Sequence, residues 1–402
     1  MLANKTIVLG ITGSIAAYKA ADLASKLTQA GATVDVVMTE SATKFITPLS
    51  LRNITGRPVV TDMWELGSEF SIEHVALAEA ADVVVIAPAT ANIIAKLAAG
   101  IADETLSCTV LATKAKVILV PAMHVNMFEN SITQDNLGKL KTNGFIIIYP
   151  AYGRLASGKM GIGRLAEVER IMGTIQQVLG RNGDLAGKRI VVTAGGTQEP
   201  IDPVRYISNR SSGKMGYAVA EAARDRGAEV ELITVPTSLS QPVGVELTLV
   251  ETTFQMREMV VKATSQADVL VMAAAVADYQ PKSTATAKIK KKALSLSLEL
   301  VRTPDILADA KGDFVKVGFA AESEDIVANA RQKLEQKQLC LVAANDITEP
   351  SSGFGSDTNK VTLISRDGKI DNLPLLSKRE VADEILDRVV VLLGKKTGRN
   401  SG

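Results

Sequence analysis

Short aliphatic runs alternate with helical patterns along the first half of the chain. Between the first two runs, Ile15–Ala30 places Ala, Leu and Tyr at helical spacing, and Gly31 ends the pattern. The runs that predict strands are Thr6–Gly10, Thr33–Met38, Val83–Ala87, Val117–Val120 and Phe145–Tyr149. Such alternation is typical of a parallel sheet wound with helices.

A polar, glycine-rich stretch, Gly180–Gly187, follows the helical pattern of Leu165–Leu179 and predicts a domain boundary. The alternation then starts again. Its predicted strands are Arg189–Ala194, Glu229–Val235, Asp268–Ala275, Val315–Ala320 and Leu339–Ala344. We therefore predict an α/β protein with two doubly wound, mainly parallel-sheet Rossmann-like domains, at residues 1–182 and 183–402.

Composition agrees with this division. A chain of 402 residues exceeds one ordinary hydrophobic core. Its net charge of +1 favours neither a nucleic-acid nor a membrane partner, and no apolar run reaches the length of a membrane span. Only two cysteines occur, Cys108 and Cys340, which fits a reducing compartment. Since the first residues enter a strand directly, we expect no signal peptide and a cytoplasmic protein.

Ligands of open parallel sheets bind beyond the carboxyl ends of the strands. In the first half, three such ends carry glycine, hydroxyl or amide groups suited to a phosphate or a heterocycle. The candidate residues are Gly13, Ser14, Thr39, Ser41, Pro88, Ala89, Thr90 and Asn92. Taken singly, each motif could be only a tight turn or a helix N-cap.

The chain has two histidines, His74 and His124. A lone histidine is more often structural than catalytic, yet imidazole is the side chain suited to proton exchange near neutral pH. His74 precedes a helical pattern, and His124 follows the predicted strand Val117–Val120.

In the second half, a long segment rich in anion donors follows the first strand. It reads EPIDPVRYISNRSSGKMG and lacks the Walker A spacing, which disfavours a P-loop ATPase. Asp278 follows another strand and suggests Mg²⁺ held mainly by substrate phosphates, with a helix cap as the alternative. Lys333 and Lys337 are four residues apart on a predicted helix, which is also compatible with a solvated face.

Several longer motifs carry a family resemblance. GITGSIAAYKAADL, IEH, APATANIIAKLAAGIADE and PAMHVNMFEN resemble the flavin-dependent cysteine decarboxylases. AGGTQEPIDPVRYISNRSSGKMG, AAVADY, KIKK, TPDI, VGFAAE, ARQKLEQK, AND and GFGSDTN resemble a ligase. From residue 5 to about 380, the chain resembles the family of bifunctional phosphopantothenoylcysteine decarboxylase/phosphopantothenate–cysteine ligases of coenzyme A biosynthesis.

For the first half, the resemblance implies FMN as cofactor and His74 as the catalytic base. The substrate's thiol side is oxidised to a thioaldehyde, CO₂ leaves, and the flavin returns the electrons. His124, Asn126 and Met127 match the substrate clamp, with His124 where the family usually has Asn. Ser157 stands where the family carries a Cys that protonates the intermediate, and a hydroxyl is a far weaker acid than a thiol. We expect decarboxylation to persist. Either Ser157, Lys159 or His124 supplies the last proton, or the loop aligns differently with the family.

For the second half, the resemblance implies that 4'-phosphopantothenate attacks CTP to give an acyl-cytidylate, which L-cysteine converts into phosphopantothenoylcysteine. Asn209 matches the residue that holds the acyl-cytidylate, Lys288 the lysine that aids its conversion, and Arg205 the partner of the substrate's charge. The positions that match the CTP site are Met272, Ala273, Ala274, Asp278, Pro304, Asp305, Ile306, Leu307, Phe319, Lys333 and Lys337.

The family also implies a homo-oligomer with trimeric decarboxylase cores and dimeric ligase domains. Two alternatives remain open from the sequence. One is a Rossmann-type oxidoreductase fused to a nucleotide-binding domain, for which GITGSIA lacks the full glycine spacing. The other is a flavoprotein regulator whose decarboxylase half is inactive, which Ser157 makes conceivable.

Overall fold

A computed structural model of the protein describes residues 2–63, 73–291, 295–322, 324–346 and 355–397. The chain divides into two compact units, Met1–Leu179 and Gly180–Gly402. Among the residues described, no helix has both the length and the apolar character needed to cross a lipid bilayer.

The first unit contains a six-stranded sheet in which every neighbouring pair is parallel, in the order β3-β2-β1-β4-β5-β6. The strands are β1 (Thr6–Ile11), β2 (Thr33–Met38), β3 (Val59–Val60), β4 (Val83–Ala89), β5 (Lys116–Pro121) and β6 (Ile146–Ile147). A separate antiparallel hairpin follows, formed by β7 (Ala151–Arg154) and β8 (Met160–Arg164). The chain order reverses beside β1. Because the strands are parallel, the loops after β1, β2, β4 and β5 share one edge of the sheet.

Helices cover both faces of this sheet, since separate apolar clusters lie on either side of the strands. They are a 3₁₀ helix (Ile15–Tyr18), α1 (Lys19–Gln29), α2 (Glu40–Thr43), α3 (Pro48–Thr55), α4 (Glu73–Ala80), α5 (Ala91–Ala99), α6 (Thr105–Ala112), α7 (Val125–Phe128), α8 (Ser131–Thr142) and α9 (Val168–Gly180). Gly31, just beyond α1, has a φ of +87°, a conformation that glycine adopts without strain.

The second unit contains an eight-stranded sheet in the order β13-β12-β9-β14-β17-β18-β20-β21, whose first six strands are parallel and whose last two are antiparallel. The strands are β9 (Arg189–Ala194), β12 (Glu229–Thr234), β13 (Glu246–Leu249), β14 (Val269–Met272), β17 (Val315–Glu322), β18 (Leu341–Asp346), β20 (Val361–Ser365) and β21 (Ile370–Asn372). Three small antiparallel pairs are formed by β10 (Gln198–Pro200) with β11 (Tyr206–Ser208), β15 (Tyr279–Pro281) with β16 (Leu300–Arg302), and β19 (Thr358–Asn359) with β22 (Leu376–Ser377).

Two apolar clusters divide the helices of this unit between the faces of the sheet. One cluster joins the strands to the first and last helices, and the other joins them to the three helices between. The helices are α10 (Lys214–Asp225), α11 (Thr253–Thr264), α12 (Ile306–Asp309), α13 (Ile326–Gln336) and α14 (Lys378–Thr397). The predicted α/β class with mainly parallel sheets is confirmed.

The observed elements differ from the predictions in detail. The predicted strand Phe145–Tyr149 pairs only at Ile146–Ile147, where it meets β5 at the edge of the sheet. The predicted strand Asp268–Ala275 is shorter in the structure and spans Val269–Met272. The backbone of Asp268 still donates to the Arg189 carbonyl oxygen (2.9 Å), and its carboxylate accepts from the Arg189 N–H (2.9 Å). The segment after β9, expected to be a loop, contains the β10–β11 hairpin.

Candidate functional site

Thr12 joins two of the strand-end loops of the first unit. It is buried directly after β1, and its Oγ1 donates to the Pro88 carbonyl oxygen (2.7 Å) and accepts from the Thr90 N–H (3.0 Å). Ser14 Oγ donates in the same way to the Ala122 carbonyl oxygen beyond β5 (3.2 Å). Hydrogen bonds therefore join the loop after β1 to the predicted flavin segment after β4 and to the segment after β5 that leads to the predicted clamp.

Three hydroxyls predicted for the flavin site also serve as helix N-caps. Ser14 accepts from Ala16 N–H at the 3₁₀ helix, Thr39 from Ala42 N–H at α2, and Thr90 from Ile93 N–H at α5. The N-cap interpretation, left open by the sequence, therefore holds for these side chains. Capping uses only part of each hydroxyl's bonding capacity, so contact with a ligand stays compatible with it.

Gly13 and Ser41 bring the first two loops into close approach. A Cβ added to Gly13 would lie 2.5 Å from the Ser41 Cβ, so only glycine fits without displacing the second loop. The other predicted cofactor residues lie beside them: Pro88 and Ala89 are buried at the end of β4, and Asn92 is exposed on the first turn of α5. The arrangement forms a cradle of backbone and small side chains at the carboxyl edge.

His74 is the second residue of α4 and is half-buried. Residues 71 and 72 of the predicted Ser71–His74 motif lie outside the described residues. His124 caps α7, where its Nδ1 accepts from the Asn126 N–H (3.2 Å), and Asn126 and Met127 are exposed on that helix. The geometry thus places the predicted clamp at the edge where β5 ends.

Ser157 lies exposed in the turn of the β7–β8 hairpin. The hairpin contacts the clamp through β8: the Met123 N–H donates to the Gly163 carbonyl oxygen (3.0 Å), and a Cβ on Gly161 would lie 3.1 Å from the Val125 Cβ. The same hairpin therefore carries Ser157 and contacts the segment that contains His124.

A cavity of 890 Å³ opens at the carboxyl edge of the second unit's sheet. Twelve of the fourteen residues predicted for the ligase site line it. They are Asn209, Met272, Ala273, Ala274, Asp278, Pro304, Asp305, Ile306, Leu307, Phe319, Lys333 and Lys337. Residues up to 128 positions apart in the chain thus share one surface, and the volume suits a nucleotide-sized ligand.

Buried threonines hold the loops around this cavity. Thr193 Oγ1 accepts from the Ala274 N–H (3.1 Å), and Thr197 Oγ1 accepts from the Ala277 N–H (2.9 Å). Asp278 follows these anchored residues and directly precedes β15, so the helix-cap alternative for it is wrong. Its exposed carboxylate lines the cavity.

The side chain of Asn209 is oriented by a single backbone group, since its Nδ2 donates to the Val276 carbonyl oxygen (2.9 Å). The amide is therefore held beside the loop that follows β14. Gly213, which begins α10 with a φ of +77°, lines the same wall together with Ser211 and Ser212.

Lys333 and Lys337 line the cavity from α13 and its C-cap. Lys333 Nζ donates to the Phe319 carbonyl oxygen (2.8 Å), and Lys337 forms an ion pair with Asp305. Burial raises the pKa of Asp305, but hydrogen bonds from Lys337, Ala308 and Leu307 outweigh it and hold the pKa below its ordinary value.

The cavity also contains residues that the sequence analysis did not assign. Arg302 lines it from β16, and Lys378 lines it from the first residue of α14. Lys378 is 8% exposed, and its pKa is lowered by burial and by the neighbouring Lys214 ammonium. Lys378 lies about 160 residues after Lys214, and no motif in the sequence connects them.

Arg205 and Lys288 are the two predicted ligase residues that do not line this cavity. They are nevertheless close to each other, because Arg205 Nη2 donates to the carbonyl oxygen of Ile289, the neighbour of Lys288 (2.9 Å). Both side chains are exposed. Lys292, the last residue of the predicted basic run Ala287–Lys292, lies outside the described residues.

The described residues contain no group of three or more His, Cys, Asp or Glu side chains arranged to hold a metal ion. Among these residues, two carboxylates line the cavity, Asp278 and Asp305, and Asp305 forms an ion pair with Lys337. Asp278 remains as one carboxylate for a divalent ion held mostly by substrate phosphates, because Mg²⁺ commonly keeps only one or two protein ligands.

Comparison with known proteins extends this picture. A family model described as Flavoprotein matches residues 1–180, and one described as DNA/pantothenate metabolism flavoprotein C-terminal domain matches residues 185–392. The coenzyme A biosynthesis bifunctional protein CoaBC of Bacillus subtilis (strain 168) is 44% identical over 407 residues, with 100% of both chains covered. The protein of the same name from Escherichia coli (strain K12) is 42% identical over 407 residues, covering 99% of this chain and 100% of its own.

A solved structure is also similar. The crystal structure of the C-terminal domain of a coenzyme A biosynthesis bifunctional protein CoaBC is 41% identical, and it covers 53% of this chain and 99% of its own, with a TM-score of 0.46.

The fold and the two strand-edge sites define a flavoprotein unit joined to a pantothenate-metabolism unit, that is, a two-unit enzyme. The chain belongs to the family of coenzyme A biosynthesis bifunctional proteins. It is a bifunctional enzyme that combines a decarboxylase with a ligase, and this assignment replaces the alternative of a Rossmann-type oxidoreductase.

Proposed function

We propose that residues 183–402 ligate 4'-phosphopantothenate to L-cysteine with CTP, and that residues 1–182 decarboxylate the product, phosphopantothenoylcysteine, to 4'-phosphopantetheine with FMN. The observation that carries the ligase half is the 890 Å³ cavity, since twelve of the predicted residues line it. The relatives, named as bifunctional proteins of coenzyme A biosynthesis over their full length, support both halves.

In the ligase unit, the carboxylate of 4'-phosphopantothenate displaces pyrophosphate from the α-phosphate of CTP. The amino group of cysteine then displaces CMP from the acyl carbon and loses a proton. Asn209 is proposed to hold the acyl-cytidylate, because its amide is fixed by Val276 at the cavity wall. Asp278 is proposed to orient Mg²⁺ on the phosphates, and Lys333 and Lys337 to bind the nucleotide.

Arg205 and Lys288 are proposed to act in the cavity of a second copy. Their exposure outside the lining of their own cavity supports this, as do the exposed apolar side chains Tyr206 and Tyr279 on the neighbouring hairpins. Dimeric ligase domains follow from this arrangement. We also propose trimeric decarboxylase cores, on the family resemblance alone.

In the decarboxylase unit, FMN is proposed to lie in the cradle of Gly13, Ser14, Thr39, Ser41 and the Pro88–Asn92 loop. When bound, it supplies the acceptor for two electrons from the thiol-bearing carbon and returns them after CO₂ has left. His74 takes a proton from the substrate, and His124, Asn126 and Met127 hold its carboxylate. The β7–β8 hairpin carries Ser157 and contacts the clamp segment at Met123. Ser157, Lys159 or His124 provides the last proton.

A single assay tests the two activities together. The purified chain is given 4'-phosphopantothenate, L-cysteine and one nucleoside triphosphate at a time, and nucleoside monophosphate and CO₂ are followed in parallel. We expect both with CTP and Mg²⁺. CMP release without CO₂ would favour the alternative in which the decarboxylase half is inactive. Equal rates with ATP would show that the ligase does not select CTP.

Mixing two inactive variants tests the shared ligase site. In an equal mixture of Asn209→Asp and Lys288→Gln chains, half of the dimers are mixed, and each mixed dimer has one intact site. About a quarter of the ligase activity should therefore return after subunit exchange. If each copy used its own Lys288, no activity would return.

A further inference from the structure

Asp202 is a buried carboxylate at the base of a turn that carries Arg205. Its side chain has no exposed surface. One carboxylate oxygen, Oδ1, accepts from the N–H groups of Val204 (2.8 Å) and Arg205 (3.0 Å), the arrangement that aspartate commonly makes in a turn. The turn closes where the Ile201 N–H donates to the Arg205 carbonyl oxygen (2.8 Å).

The second oxygen, Oδ2, makes a hydrogen bond outside the turn. It accepts from the N–H of Ile289 (3.1 Å), a residue 87 positions further along the chain and next to Lys288. The carbonyl oxygen of Ile289 in turn accepts from Arg205 Nη2 (2.9 Å). Both backbone groups of Ile289 are thus bonded to the pair Asp202 and Arg205.

Two further hydrogen bonds join the same two segments of the chain. The Ala285 N–H donates to the Ile201 carbonyl oxygen (3.0 Å), and Thr284 Oγ1 donates to the Pro200 carbonyl oxygen (3.1 Å). Segment 284–289, which leads to Lys288, is therefore attached along its length to segment 200–205. Asp202 provides the one buried charged group among the residues named in this network.

The charge of Asp202 is maintained in this position. Burial raises the pKa of its carboxyl, but the three backbone N–H groups of Val204, Ile289 and Arg205 outweigh it, and with Arg205 nearby they hold the pKa below its ordinary value. An ionised carboxylate makes stronger hydrogen bonds than a neutral acceptor. Near neutral pH the network therefore contains an anion with all of its bonds directed at two specific segments.

We propose that Asp202 is a positioning residue of the ligase, which holds Lys288 beside Arg205 by bonding the Arg205 turn and the Ile289 backbone with its two carboxylate oxygens. This inference rests on the proposed role of Lys288 in the step that consumes cysteine. It follows that Asp202 supports the cysteine step and, when 4'-phosphopantothenate is saturating so that Arg205 does not limit its binding, has little influence on the earlier release of pyrophosphate.

The test uses the full chain and four variants: Asp202→Asn, Lys288→Gln, the double variant, and Asp268→Asn as matched control. Asp268 also anchors a backbone N–H with its carboxylate, that of Arg189, but it lies at the opposite, amino end of the sheet. Pyrophosphate release is measured in a single turnover without cysteine. CMP release is then measured after cysteine is added.

We expect Asp202→Asn to slow the cysteine step about tenfold to 100-fold, because small misplacements of a reacting group have effects of that size. Pyrophosphate release should stay within about twofold. The double variant should be no slower than Lys288→Gln alone, since the two residues act as one unit. Losses that multiply in the double variant, or an equal loss in the pyrophosphate step, would overturn the proposal.

Amide hydrogen exchange separates this proposal from the role of Lys288. Exchange over residues 284–289 should accelerate in Asp202→Asn and not in Asp268→Asn. If exchange is unchanged, the positioning role is wrong whatever Lys288 does. If exchange accelerates but Lys288→Gln has a normal cysteine step, Asp202 holds the segment as inferred and the proposed role of Lys288 is the part that fails.

A second variant covers the case in which Asp202→Asn folds poorly. In Asp202→Ser, the hydroxyl can still accept from the turn N–H groups but has no second oxygen to reach Ile289. We expect a folded protein with accelerated exchange at 284–289 and a slow cysteine step. A normal cysteine step in a folded Asp202→Ser protein would contradict the proposal.

Discussion

Both units hold together the carboxyl edge of their sheet with a buried threonine, yet they leave different groups to face a ligand. Thr12 accepts from the Thr90 N–H in the first unit, and Thr193 accepts from the Ala274 N–H in the second. Each bond joins the end of the first strand to the loop after the neighbouring strand, across 78 and 81 residues.

The loops that these threonines hold are built differently. In the first unit they are short, and Ser14, Thr39 and Thr90 each cap a helix, so backbone groups and glycine form much of the cradle. In the second unit a long segment after β9 folds into its own hairpin, and charged side chains from many elements line the cavity. The same sheet edge thus presents mainly backbone and small groups in the first unit and many charged side chains in the second.

Removing the imidazole of His74 should have the largest effect, and the effect should be confined to the activity of the first unit. We expect His74→Asn to lower CO₂ release by about 10²-fold to 10⁴-fold, the usual range for loss of a general base, and to leave CMP release unchanged. The control is His124→Asn, which restores the residue that the family resemblance leads one to expect and should keep CO₂ release within a few fold. A normal rate of CO₂ release in His74→Asn would end its assignment as the base.

The paired threonines allow the same change in both units. Thr12→Val and Thr193→Val each leave a partly buried backbone N–H without its acceptor, which destabilises a protein by at most about 1–3 kcal/mol. Thr12→Val should lower flavin retention only, and Thr193→Val should raise the KM for CTP only.

Thr28→Val serves as the control for this pair, because Thr28 Oγ1 bonds only to the Ala24 carbonyl oxygen within α1. It should affect neither readout. If Thr193→Val also released flavin, or Thr12→Val also weakened CTP binding, the two edges would not act independently.

The smallest expected effect concerns a carboxyl of α10. Burial raises the pKa of Glu221, with Asp225 adding to this effect and Arg224 and Arg379 opposing it. Because the folded state binds this proton more tightly than the unfolded state, stability falls as pH rises from the ordinary value of 4.5 through the raised one. Glu221→Gln should therefore stabilise the second unit slightly at pH 7.

Urea unfolding at pH 7 and pH 4 measures this difference. The advantage of Glu221→Gln should shrink at pH 4, where the wild-type carboxyl is mostly protonated in both states. The first unit should show no change at either pH. An advantage of equal size at both values would mean that lost packing or hydrogen bonding, and not ionisation, sets the effect.

Much of the fold followed from local pattern. The strands β1, β2 and β9 lie close to their predicted ranges, because fully buried parallel strands are continuous aliphatic runs. The wrong details occur where tertiary contacts override the pattern. The predicted strand Asp268–Ala275 ends at Met272, beyond which the Ala274 N–H donates to Thr193 Oγ1, and the segment 198–208 pairs with itself as a hairpin.

For the sites, the sequence identified most of the candidate residues but not which of them lie together in one cavity. It placed Arg205 and Lys288 together with the other ligase residues, whereas the cavity of the same chain does not include them. It did not assign Lys378, because no local signal marks a lysine at the start of a helix as part of a distant cavity.

The sequence by itself determined the alternation of strands and helices, the glycine stops and the hydroxyl-rich ends of the strands, since these depend on neighbours a few residues away. Only the tertiary structure decided that Thr12 meets Thr90 and that Asp202 meets Ile289. Those bonds join residues that are 78 and 87 positions apart in the chain. They form because polar groups that packing buries need hydrogen-bond partners, wherever in the sequence those partners lie.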